Sequence, residues 1–413
     1  MNAEADALQV WLDGGVVADL TVRRRVPQLR YRADFIAARG VGALGLSVPL
    51  PIAVRPYKGE LVDYWVESLL PEGETRTVLE RYFRVRRGDG FALLAAIGRD
   101  CAGAVAVTPP GQDLGEPVGP LQPLTSGEVG GAVATLRQHP LGVDDEVRVS
   151  LGGLQSKLLL VRTDSGWARP VGGMPSTHIL KPDPPEFPGL VASEAFAQRS
   201  ATLAGLSAAE ARLDSFGGRT VLVVTRFDRE VRDGRLVRRH QEDGCQALGV
   251  DPSGVGKYQA LNGTASYRGL SGILSAHART PLDELRRLGA MMIFTVAVGN
   301  TDAHLRNHAF LHDADALTLA PIYDAAPTTE FAGTRQLALW IAGQSLLAVV
   351  NRGYLLREMT SWGLDPDDAA TIFDTTLTRL ADAYDEAARL VPQVQPEIVA
   401  DCKTRTENLL RKR

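Results

Sequence analysis

The run Gly299-Asn300-Thr301-Asp302-Ala303-His304-Leu305-Arg306-Asn307 carries the strongest chemical signal in the chain. Asp302 and Asn307 stand at a D-x4-N spacing, which lets one loop aim a carboxylate and a carboxamide into the same cleft. Phosphoryl transfer uses that pair: the carboxylate orients an attacking hydroxyl and accepts its proton, and the amide oxygen helps hold magnesium. Further on, Leu319-Ala320-Pro321-Ile322-Tyr323-Asp324 reads as a short strand delivering a second aspartate. Magnesium prefers hard oxygen donors plus phosphate oxygens, so Asn307 and Asp324 suffice on the protein side. Upstream, Thr177-His178-Ile179-Leu180-Lys181 is a β-like run ending in a lysine suited to nucleotide phosphates. Glu194, on the next helix, is a candidate partner for Lys181. The bland alternatives are a solvated strand-end lysine and an ordinary helix-surface glutamate. Ser150-Leu151-Gly152-Gly153-Leu154-Gln155-Ser156-Lys157 places glycines between two strands, where backbone amides can approach phosphate oxygens. It is neither a Walker A sequence nor G-x-G-x-x-G, and a plain hairpin turn is its alternative reading.

The elements that must position these groups are read from pattern. Residues 7–12 and 16–22 flank Asp13-Gly14-Gly15 and read as a hairpin. Helices are expected at 61–70, ended by Pro71, at 74–83 and at 91–97, with a short strand at 104–107. Residues 109–125 hold five prolines and three glycines and read as a linker, with a short helix after it at 126–138. Strands are expected at 146–150, 156–162, 177–181 and 219–226, and a helix at 193–206. Helices dominate beyond Asp283, broken by a polar loop at 299–308 and strands near 308–311 and 317–320. The expected organisation is a small α+β module over 1–110 and a Pro/Gly linker with a short helix over 111–145. A strand-rich lobe over 146–240 then carries the phosphate loop and lysine, and a helical lobe over 241–413 carries the catalytic loop and metal-binding aspartate. That order is α+β and matches a two-lobed, kinase-like fold.

Composition sets the outer limits. The chain has 413 residues, 45% hydrophobic and 23% charged, enough for two or three domains and a real core. A formal net charge of −4 gives no overall pull toward nucleic acid or anionic lipid. Cys101, Cys245 and Cys402 form no CxxC, so reduced thiols in a cytoplasmic setting are expected. Neither a signal peptide nor a membrane-length apolar run is read. Gly40-Val41-Gly42-Ala43-Leu44-Gly45 fits G-x-G-x-x-G by letter, yet a helix-like stretch precedes it and Pro49 and Pro51 come after it. Gly254-Val255-Gly256-Lys257-Tyr258 resembles a Walker fragment with Tyr258 in the Ser/Thr place, and reads as a loop. His304, His308 and His312 recur every four residues, but Leu305 stands where a metalloprotease glutamate would be. The arginine clusters 23–25, 84–87 and 238–239 read as solvated faces.

Taken in order, these motifs resemble the HipA family of serine/threonine kinases. The matching stretches are Arg148 through Lys157, Ser176 through Lys181, Thr225-Arg226-Phe227-Asp228-Arg229, Gln241 through Gln246, Asn300 through Asn307, and Tyr323-Asp324. Ser68-Leu69-Leu70-Pro71 and Ile97 through Val105 extend the resemblance over the N-terminal module. The resemblance implies ATP and Mg2+ as cofactors, Asp302 as catalytic base, Asn307 and Asp324 as metal ligands, and Lys181 as the phosphate lysine. Gly152, Gly153 and Gln155 would line the phosphates, and Thr225 and Phe227 would contact adenine through backbone groups at a hinge. Ser150 matches a serine that the family autophosphorylates. A HipB-like helix-turn-helix antitoxin is the implied partner, an aminoacyl-tRNA synthetase the implied kind of target, and operator DNA an indirect contact through the antitoxin. Thr225 stands where the family often has glutamate, as does Ser156. Two rival readings are a small-molecule phosphotransferase and a non-catalytic, antitoxin-binding corepressor scaffold.

Overall fold

The structure is a computed structural model, and it describes residues 7–114, 121–144, 146–153, 155–233, 235–331, 333 and 335–411. Alternation over Ala7–Leu12 turns Leu8 and Val10 inward, and Gly15–Arg23 answers with Val17, Ala18 and Leu20. These strands centre a five-stranded antiparallel sheet in the spatial order Tyr57–Lys58, Val26–Tyr31, Gly15–Arg23, Ala7–Leu12, Ala106–Thr108. Helices Glu60–Ser68, Gly73–Tyr82 and Gly90–Ile97 complete the module. Trp65, Leu70 and Leu94 close over Leu8, Leu20 and Leu29 in one core.

A second, six-stranded antiparallel sheet runs Ala211–Phe216, Arg219–Thr225, His178–Pro182, Leu158–Thr163, Gly166–Arg169, Gln122–Leu124. Helix Leu190–Leu203 lies against it, buried nearly all round, because helix Pro366–Leu390 covers its other face. The helical lobe is built on Tyr267–His277, Pro281–Val298, Arg352–Ser361, Pro366–Leu390 and Pro396–Arg411. A small sheet of Gln241–Asp243, Ala309–Asp313 and Ala316–Leu319 sits where the lobes meet. The molecule is therefore two-lobed and α+β, with an additional N-terminal module.

Two expectations change. Residues 146–150 form no strand: Asp144 Oδ1 accepts from the Glu146 and Val147 amides, closing a turn, and only Val149 bridges to Asp100. Residues 115–120 of the expected linker lie outside the described residues, but residues 122–125 are packed structure, and the short helix expected at 126–138 forms over Ser126–Ala134. Gln122–Leu124 pairs with Gly166–Arg169 at the sheet edge. A Thr125–Glu128 capping box opens helix Ser126–Ala134, whose Val129 and Val133 pack on Leu160, Trp167 and Phe216.

Candidate active site

Lys181 sits on an inner strand, opposite Leu222, with Leu180 paired to Leu158 on the other side. Asp183 then accepts from the Gly189 and Val191 amides at 3.0 Å each, anchoring the start of the helix that carries Glu194. The result is a buried pair, with Lys181 Nζ 2.9 Å from Glu194 Oε1, and Lys181 also reaches the more exposed Asp324, 2.6 Å from its Oδ1. Burial alone would lower the lysine's pKa, but Asp324 and Glu194 outweigh it and hold Lys181 charged. Desolvation likewise opposes ionisation of Asp324, and Lys181 and Lys157 overcome it, keeping this carboxylate below its usual range. Asp324 has φ 52°, a left-handed backbone unusual for a non-glycine residue, held here between strand and loop.

The catalytic-loop segment begins where helix Pro281–Val298 ends. Gly299 terminates it in the left-handed conformation, φ 77°, and a Cβ there would meet the Arg405 guanidinium. Asp302 comes next but two, exposed, with its Oδ1 accepting from Tyr258 Oη at 2.9 Å. Burial around the carboxyl raises its pKa, Tyr258 pulls it back, and Asp324 pushes it up again. Asn307 donates its Nδ2 to the Asp302 carbonyl at 3.1 Å, so its Oδ1 remains an acceptor. His304 is buried beside them, its imidazole pushed down to about 3 by burial and nearby Lys257. His304, His308 and His312 do not converge: His308 Nδ1 contacts the His304 carbonyl and His312 Nε2 pairs with Glu242.

The phosphate-loop candidate lies across the cleft. Gly153 has φ 108°, where a side chain would be strained, and an added Cβ would crowd Lys157 Nζ. Lys157 Nζ donates to the Gly152 carbonyl at 2.5 Å, and burial together with repulsion from Lys181 lowers it to about 8. Gly152 needs its missing side chain for a different reason: Arg306 packs directly against its Cα. Gln155 Nε2 reaches the Pro182 carbonyl at 3.3 Å. At the far end, Thr225 closes the central ladder opposite His178, and among the described residues the Phe227 amide donates to no group. The ring of Phe227 leans on Tyr323, 5.4 Å between centroids.

Lys181, Glu194, Asp302, Asn307, Asp324, Gly152, Gly153, Gln155, Thr225 and Phe227 thus line one cleft of about 710 Å³. That falls within the roughly 300–1,000 Å³ typical of small-molecule sites. Ser150 is not in its wall. It is fully buried, its Oγ donating to the Leu69 carbonyl at 2.5 Å and its amide to the Asp100 carbonyl at 2.9 Å.

The donor set fits a nucleotide with magnesium. Asn307 Oδ1 and the Asp324 carboxylate supply hard oxygens, Lys181, in contact with Asp324, and Lys157 supply positive charge for phosphates, and the Phe227 amide is unpaired among the described residues.

Several residues of the site escaped sequence reading. Arg306 donates Nη1 to Glu72 at 2.5 Å, Nη2 to the Ser68 carbonyl at 2.8 Å and Nε to Asp243 at 3.2 Å. Lys257 Nζ also reaches Glu72, at 2.8 Å. The Gly254–Tyr258 stretch is a loop, as read, but its Lys257 lines the cleft and its Tyr258 donates to Asp302. Arg238, expected on a solvated face, lies 3.6 Å from buried Asp100. That aspartate also takes Arg226, Arg229 and Ser176, so the Ile97–Val105 motif locks onto the Thr225–Arg229 motif. No local pattern announces such partners; only the presence of both motifs in one chain hints at it.

Known proteins share both parts of this arrangement. The family model described as HipA-like C-terminal domain matches residues 149–387, and that of the HipA N-terminal domain matches residues 8–108. A putative kinase, Y4mE of Sinorhizobium fredii, is 34% identical over 94% of this chain and 91% of its own length. The serine/threonine-protein kinase toxin HipA of Shewanella oneidensis is 30% identical over 82% of this chain and 77% of its own. A solved Shewanella oneidensis complex of HipA, HipB and operator DNA contains a chain that superposes with TM-score 0.83 at 26% identity. The match covers 98% of this chain and 97% of that one.

Proposed function

The chain belongs to the HipA family, and from that premise we propose that it is an ATP-dependent serine/threonine protein kinase acting as the toxin of a toxin–antitoxin pair. One observation carries the reading: Lys181, paired with buried Glu194, touches Asp324 and shares a single cleft with Asp302 and Asn307. In this reading Lys181 binds the nucleotide phosphates, with Gly152, Gly153 and Gln155 over them, and the Thr225 carbonyl and Phe227 amide take the adenine edge. A magnesium ion held by Asn307 and Asp324 would neutralise phosphate charge. Asp302 orients the protein hydroxyl. Its oxygen bonds to the γ-phosphorus, the bond to the β-phosphate oxygen breaks, and the proton passes to Asp302.

A HipB-like antitoxin is the proposed partner, since the structural neighbour is a chain from a HipA–HipB–operator complex. Operator DNA would be reached through it. An aminoacyl-tRNA synthetase is the proposed kind of target, on family resemblance. Ser150 is the proposed autophosphorylation site. Its hydroxyl is buried against Leu69, so the loop must leave its seat before phosphate can be accepted, and a dianion cannot return to that apolar, carbonyl-lined place.

The test is label transfer from γ-labelled ATP, with intact-mass analysis of the chain itself. Asp302→Asn should lower transfer by a factor on the order of 10²–10⁴. The wild type should gain one phosphate, lost on Ser150→Ala. Equal transfer by wild type and Asp302→Asn would refute the kinase assignment, and an unmodified Ser150 after prolonged Mg-ATP would refute the second point.

A further inference from the structure

We propose that Tyr258 is a positioning residue for Asp302, fixing which carboxylate oxygen is left to meet the acceptor hydroxyl; the inference rests on the kinase reading above. The phenol donates to Asp302 Oδ1 at 2.9 Å, while among the described residues nothing donates to Oδ2. A carboxylate with both oxygens open rotates about its last torsion. One strong hydrogen bond removes that freedom and presents the second oxygen in a fixed direction. A general base held by a third group is the arrangement that proton abstraction favours.

Tyr258 is itself held. Lys257, its neighbour, is almost fully buried and pairs with Glu72. The Lys257 carbonyl accepts from the Leu305 amide at 3.2 Å, tying this segment to the catalytic loop. On the other side the Gln259 amide donates to the Ala338 carbonyl at 2.9 Å and its side chain accepts from the Trp340 amide at 2.6 Å. The tyrosine ring stands edge-on to His304, 5.2 Å between centroids. Backbone anchors flank the phenol, and ring contacts set its plane. Tyr258 is absent from the cleft wall that holds Lys181 and Phe227.

The test uses the full chain, γ-labelled Mg-ATP and label incorporation into protein, with the chain itself and a bacterial extract as acceptors. Tyr258→Phe keeps the ring and its packing and deletes only the donor. Its kcat should fall roughly tenfold while the KM for ATP, the affinity for a fluorescent ATP analogue and the melting temperature stay at wild-type values. Placed on Asp302→Asn, the same change should cost nothing more, because a pair acting as a unit is non-additive. A kcat equal to wild type, or a loss in Tyr258→Phe/Asp302→Asn that multiplies the two single losses, overturns the proposal. A kcat loss accompanied by weaker nucleotide binding or a lowered melting temperature also overturns it, in favour of a merely structural tyrosine. Full activity in Asp302→Asn alone defeats the kinase reading instead. A wild-type chain that transfers no label defeats both.

Discussion

Lys181 is the residue on which the cleft's electrostatics turn, since it is buried, meets buried Glu194 on one side and reaches the solvent-open Asp324 on the other. In the proposed reading Asp324 would also hold the metal, and Glu194 would then keep the lysine in place when Asp324 turns to other ligands. Glu194→Gln keeps the shape and removes the charge. It should reduce kcat/KM for ATP about tenfold, the worth of one charge-assisted hydrogen bond of about 1.5 kcal/mol. Steady-state kinetics would show the change mainly in KM. Lysine and glutamate were both legible in the sequence because a strand-end lysine with a helix after it is a local pattern. Arg306 was not legible in the same way. It stands inside the recognised D-x4-N run, yet its partner Glu72 lies 234 residues away, and no spacing rule connects them.

At the scale of elements, the turn after helix Glu60–Ser68 does more than end a helix. It presents the Ser68 carbonyl and Glu72 to Arg306, Glu72 to Lys257, and the Leu69 carbonyl to Ser150. The N-terminal module thereby touches Arg306, the Tyr258 segment and Ser150 from one short stretch. Glu72→Gln retains the size and some hydrogen bonding but leaves buried Lys257 without a counter-charge. It should destabilise the chain by about 1–3 kcal/mol in urea unfolding and lower the rate of label transfer. The Pro71 stop was readable as punctuation, whereas its service to another lobe was not. Residues 146–150 show the opposite failure. Alternating valines promised a strand, and Val147 and Val149 are indeed buried, but an aspartate-capped turn and the N-terminal module claim the amides a ladder would have used.

Across the whole molecule, the buried charges around Asp100 decide how the N-terminal module and the strand-rich lobe hold together. Asp100 accepts from the Ser176 amide at 2.9 Å, Ser176 Oγ at 2.7 Å and Arg229 at 2.8 Å, with Arg226 and Arg238 close by. Asp228 takes Arg226 at 2.8 Å and the Gly103 amide at 2.7 Å. Two carboxylates thus serve three guanidinium groups beside Phe227, so the order of motifs visible in the sequence becomes a support for the segment that carries Thr225 and Phe227. Burial works against Asp100, but the arginines hold its carboxyl well below the usual range, and Asp228 is likewise brought down to about 2. Carboxyls depressed on folding stabilise above their unfolded pKa, about 4, and lose that contribution as pH falls through their folded values. Asp100→Asn keeps the shape but leaves three arginines facing one carboxylate. Stability should fall by about 3–5 kcal/mol at pH 7, as expected when a buried pair loses one member. Urea unfolding of wild type and variant from about pH 7 down to about pH 2 checks this: the gap should hold down to the unfolded pKa, about 4, and narrow below it, as the unfolded chain takes up protons that the native carboxylates still refuse. A gap that stays constant over that whole range would mean that packing, and not charge, joins the module to the hinge.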